Sequence, residues 1–243
     1  MSATQTFGGI FDQFAGPSSF VNEVRMQDLN ETGLMIATDG SGPYTNITYI
    51  AVSGSCSGMN FASPRCVDIE AQTQGLHGIT CLGDQQTAAT TGGGGPGIVV
   101  NASNNSIKDA HVEAFLDGVA IADPASTSSL GNINVSNIYG GHSNNCGSTA
   151  GFVTNVVHLC GPNAKQEACH SASGAVTNVT ILQAANEKPT LNTVLDDVTG
   201  TVIASCGSPG CSLPLTTAMY SLGGNQVGST GGLSYYPLFA TNR

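Results

Sequence analysis

Tryptophan is absent, and only 9% of the 243 residues are Asp, Glu, Lys or Arg. Six Lys and Arg stand against sixteen Asp and Glu, for a formal net charge of −10. Polyanions are held by clustered cations, so the lack of a basic footprint excludes DNA, RNA and anionic lipid as partners. No stretch approaches the ~20 apolar residues of a membrane-spanning helix, so no membrane insertion is expected. Helical periodicity is missing as well, which argues against an α-rich fold. Cys-x-x-Cys pairs are also missing. Cys160 stands near His158 and Cys169 precedes His170, but without regular ligand spacing a zinc site is not expected, and no cofactor is implied.

What is present points to strands. Hydrophobic residues make up 40% of the chain, enough for a continuous core, and 32 glycines accompany abundant Ser, Thr and Asn. A low-charge, hydrogen-bonding surface of this kind suits stacked strands joined by tight turns. Eight cysteines include three pairs close in sequence: Cys56 with Cys66, Cys160 with Cys169, and Cys206 with Cys211. They read as loop staples, which persist in an oxidising compartment, so a secreted or cell-surface location is expected. Met1 does not lead into a charged segment followed by an apolar one. An exported composition without an export signal suggests a trimmed or excised chain.

The strongest signal is a repeat: a small polar turn, often ending in Asn, then an apolar anchor with alternating apolar positions. It recurs with anchors at Val24, Ile47, Ile79, Ile107, Ile133, Val156 and Val179. A unit near ~23 residues matches one coil of a β-solenoid. Each copy is expected to carry a second strand: Gly33 to Ile36, Cys66 to Ile69, Gly97 to Val100, and Gly118 to Ile121. Period-2 alternation within each copy is what strands require. The Asn before the anchor, at 46, 132, 155 and 178, is expected to form a ladder from coil to coil. Loops are expected to leave the coil at 53–65, 83–96, 140–150 and 160–173, where they could wall a groove. The predicted fold is all-β, a right-handed parallel β-helix of about seven coils. It comprises a lead-in or capping segment over 1–19, the helix over 20–205, and a C-terminal cap over 206–243. Open solenoid ends offer a route to a homo-oligomer.

Two runs carry a family resemblance. Asn105 to Asp123 (NSIKDAHVEAFLDGVAIAD) and Gly131 to Gly141 (GNINVSNIYGG) resemble coils of the pectate-lyase-like superfamily of right-handed parallel β-helices. The resemblance covers roughly 20–205 and implies the fold, export and a polysaccharide or glycan partner. Polygalacturonase-like members of that superfamily use an Asn-Thr-Asp strand, an Asp-Asp pair, a Gly-His-Gly and an Arg-Ile-Lys. Their carboxylates protonate the leaving oxygen and activate water.

Here only Asp117, in Leu116-Asp117-Gly118-Val119, and His142, in Gly141-His142-Ser143, match. The pair Asp196-Asp197 follows the histidine instead of preceding it, and no Arg-x-Lys occurs. The resemblance therefore implies Asp117 and His142 as catalytic candidates on adjacent coils. Asp109, His111 and Glu113 beside them are candidates for substrate binding. Six scattered basic residues disfavour lyase chemistry, which needs a base and cations around a uronate. Two expectations follow: a carbohydrate-associated exported protein with hydrolase activity, or a non-catalytic surface, adhesin-like or fibre-forming β-helix.

Overall fold

The structure is a computed structural model. It describes residues 9–13, 20–29, 32–37, 39–51, 65–83, 95–121, 130–141, 152–160, 176–187, 191–197, 201–205, 220–222 and 225–228. Among these residues there is no helix. The strands are β1 (Ile10–Asp12), β2 (Val21–Leu29), β3 (Leu34–Ile36), β4 (Tyr44–Ala51), β5 (Val67–Ile69), β6 (Leu76–Leu82), β7 (Pro96–Val100) and β8 (Ser106–Glu113). They continue as β9 (Asp117–Ile121), β10 (Leu130–Gly141), β11 (Asn155–Leu159), β12 (Val176–Asn186), β13 (Asn192–Asp196), β14 (Thr201–Ser205), β15 (Tyr220–Leu222) and β16 (Asn225–Gly228).

Consecutive strands from β1 to β13 alternate between two eight-stranded sheets. One sheet has the order β1-β3-β5-β7-β9-β11-β13-β14, and the other β15-β16-β12-β10-β8-β6-β4-β2. All pairings up to β13 are parallel, and antiparallel pairs close each sheet, β13 with β14 and β15 with β16. The first sheet begins before residue 20, at β1. The short strands β7, β9 and β11 are buried at every position, as parallel strands covered on both faces should be. The inward rows of β-branched and leucine side chains form one continuous core, from Leu34 and Ile47 through Ile98 and Val135 to Val194.

The second-strand runs expected at 33–36, 66–69, 97–100 and 118–121 form β3, β5, β7 and β9 of the first sheet, the first two starting one residue later than expected. Two anchors do not fall where expected. Val156 belongs to β11 of the first sheet, and Ile133 pairs directly with Val179. Ile79 pairs with Ala110, while Ile107 pairs with Leu76. Both sheets use the same Asn-then-β-branched alternation, so Asn155-Val156 has the local pattern of one sheet and the register of the other.

Each longer strand from β2 to β10 has a residue in the left-handed conformation at one shared position, and β10 has a second, Asn132. Glu23, Asn46, Gly78, Asp109 and Asn137 have φ of 56°, 54°, 71°, 55° and 55°. The register stacks these five residues in one column. Gly, Asn and Asp reach this region with the least strain, which explains why four of the five are of these types.

The expected asparagine ladder is therefore several short ladders. Asn46 donates to Asn22 (3.2 Å), Asn132 to Asn104 (3.0 Å) and Asn104 to Gln72 (3.3 Å). Asn155 belongs to a separate ladder in the first sheet. The Asn178 side chain and most of the expected loops lie outside the described residues.

Cys66 is bonded to Cys81 rather than to Cys56. Cys66 precedes β5 and Cys81 lies on the inward face of β6, both fully buried, so they meet across the core. Cys160 is disulfide-bonded too.

Candidate functional site

Asp117 opens β9, and Asn155 opens β11 opposite it in register. Gly118 follows because the two strands approach closely there: a Cβ at this position would lie 2.6 Å from the Val156 carbonyl oxygen. The Asn155 amide donates to Asp117 Oδ1 at 2.6 Å, and the Asn192 amide on β13 donates to Asn155 Oδ1 at 2.7 Å. His158 places Nδ1 2.9 Å from Asp117 Oδ2 and Nε2 2.5 Å from Asp197 Oδ2.

Asp117 and His158 are fully enclosed, and the Asp197 side chain is 10% exposed. Burial pushes the His158 pKa down, but the charge and hydrogen bond of Asp117, followed by those of Asp197, outweigh it and raise it to about 9. At neutral pH the ring is therefore an imidazolium that donates from both nitrogens. With both nitrogens on carboxylates and Cys160 in a disulfide, the thiol and imidazole considered for zinc are already engaged.

The histidine beside Asp117 is thus His158. His142 lies outside the described residues, and the preceding Gly141 pairs with Glu113 in the other sheet. Asp109, His111 and Glu113 sit on β8, also in the other sheet from Asp117, so the register does not join them into one Asp/His cluster. Asp109 occupies the bend column, where Asn137 donates to its Oδ1 (2.5 Å) and His77 Nε2 lies 2.5 Å from its Oδ2. His111 Nε2 is 3.0 Å from Glu113 Oε1, and its ring meets Tyr139 edge-on with centroids 5.0 Å apart. The fractional exposures are 9% for Asp109, 7% for His111 and 4% for Glu113.

Sequence reading missed a further group. Asp68 lies at the centre of β5, between the core residues Val67 and Ile69, so alternation turns it to the opposite face. Arg65 Nη1 donates to its Oδ2 at 2.5 Å, and Asn101 donates to Glu70 at 2.9 Å. Burial raises the Asp68 pKa; the Arg65 charge pulls it back, and a shared hydrogen bond with Glu70 raises it again, leaving it at about 7. The only sequence signal was the Asp-Ile-Glu alternation within a repeat copy, which any half-exposed strand produces.

Compared with protein-family models, curated proteins and solved structures, the chain finds no match. Among the described residues, no helix is long and apolar enough to cross a membrane.

Proposed function

We infer that the chain is a right-handed parallel β-helix acting outside the cell as a rigid, non-catalytic structural or display module. The alternation of consecutive strands between two parallel sheets supports one winding coil, and parallel crossovers are right-handed in about 98% of cases. The bend column gives that coil a repeated corner. A core-buried disulfide favours an oxidising compartment.

The observation that carries the functional reading is burial. Every described candidate for catalysis or substrate binding (Asp109, His111, Glu113, Asp117) is at most 9% exposed. Asp117 has one oxygen on Asn155 and the other on His158, leaving neither placed to protonate a glycosidic oxygen. The test is a screen of purified protein against neutral and acidic polysaccharides, following reducing-end release and absorbance at about 235 nm for unsaturated products. Silence on all substrates is expected; release or new absorbance that follows the protein through purification would overturn the reading.

A second reading, hydrolysis of a polysaccharide, draws on Asp68 and Glu70. They are two carboxyl groups two positions apart, one of them held as an acid near neutral pH, the pairing that glycoside hydrolysis uses. Loss of any observed release in Asp68→Asn and Glu70→Gln, with Asp117→Asn still active, would favour it.

A further inference from the structure

β13 is the last parallel strand of the first sheet, followed by the antiparallel β14. In a stacked architecture each strand is held mainly by its immediate neighbours, so a terminal strand is the least costly to release. Here the terminal strand has a longer tether. Asp197 directly follows β13, its backbone N–H donating to Leu159 O at 2.9 Å, and its carboxylate reaches His158 on β11. His158 in turn reaches Asp117 on β9. One imidazole thus joins three successive strands through charged groups that are nearly enclosed.

We propose that the Asp117–His158–Asp197 clamp makes docking of the terminal segment 192–205 dependent on protonation, so that this segment opens selectively as the solution becomes alkaline. Deprotonated, the imidazole has one N–H to share between two carboxylates. One carboxylate is then left buried against a ring-nitrogen lone pair, a costly arrangement. Among the described residues, the side chains in this cluster are Asp117 from β9, Asn155 and His158 from β11, Asn192 from β13 and Asp197 from the turn after it. The two asparagines do not titrate. The folded pKa of about 9 lies above the ordinary 6.5. The contribution of the clamp is therefore complete below pH 6.5 and lost as the pH rises through 9. This holds whether or not the chain acts on polysaccharide.

Hydrogen exchange of the full chain, corrected for the intrinsic pH dependence of exchange, tests the proposal. The opening constant of 192–205 is expected to rise with pH up to about 9 and then level off, by less than tenfold per unit because His158 keeps Asp117 in the opened state. Peptides from β4 and β10, whose strands carry no carboxyl or imidazole group, should stay unchanged. His158→Gln should remove the slope, and Asp197→Asn should shorten its range. An equal rise in all peptides, no rise at 192–205, or an unaltered slope in His158→Gln would overturn it. If His158→Gln does not fold, the wild-type ring decides by its NMR titration: a midpoint near 9 supports the clamp, and one at or below 6.5 sinks it.

Discussion

Asn137 donates its side-chain amide to the Asp109 carboxylate one strand away at 2.5 Å, and both residues sit at φ 55°. The pair combines two functions in one column: each residue bends its own strand, and each side chain fastens that bend to the next. Asp109 is polar and sequence-prominent because of this position.

Substitutions at Asp109 should sort by backbone tolerance. Asp109→Asn keeps a small side chain suited to left-handed φ and should cost under about 1 kcal/mol. Asp109→Val combines a β-branched residue at positive φ with loss of the Asn137 bond and should cost about 2–4 kcal/mol. Urea unfolding monitored by far-ultraviolet circular dichroism measures the difference; equal costs would show that the bend does not depend on this residue.

The Cys66–Cys81 bond should appear directly in a non-reducing peptide map, with the two cysteines in one linked peptide pair and Cys56 not joined to Cys66. Replacing both with alanine should lower stability by about 2–4 kcal/mol, with part of the loss from the unfilled core volume. A Cys66–Cys56 peptide would contradict the placement of β5 against β6 across the core.

Asp68 should give the stability profile an acid-side slope. Its folded pKa, about 7, lies above the ordinary 3.8, so the folded state retains a proton that the unfolded chain releases. Stability from this group is greatest below pH 3.8 and declines as the pH rises through 7, opposite in sign to a salt-bridged carboxylate with a depressed pKa. Asp68→Asn should remove that decline and leave the protein more stable at pH 8 than the unaltered chain. Chemical denaturation of both proteins at pH 4, 6 and 8 reads the slopes.

Strand identity was legible from the sequence because inward positions repeat with period 2, as in Ile47 and Tyr49 or Ile79 and Cys81, and a core has no other use for that pattern. Register was less legible. Val156 and Val179 follow asparagine in the same local context, and only pairing separates their sheets: the neighbours of Val156, Asn155 and Val157, pair with Asn192 and Val194, whereas Val179 pairs with Ile133. The candidate site was legible only in part. Asp117 stands out by its place before Gly118, but its partners His158 and Asp197 are 41 and 80 residues away and resemble ordinary strand and turn polar residues. Sequence proximity favoured Cys56 for Cys66, whereas inward facing on consecutive strands selects Cys81.

The Cys66–Cys81 bond runs from one sheet to the other between consecutive strands, not from one strand to its stacked neighbour. It acts as a hoop and not as a tie rod. Pulled along the stacking direction, the β5–β6 region would transmit the load through inter-strand hydrogen bonds and packing, and this disulfide would carry little of it. Squeezed across that direction, the same bond would resist any separation or sliding of the two sheets. Reduction should therefore soften the molecule to transverse deformation far more than to extension.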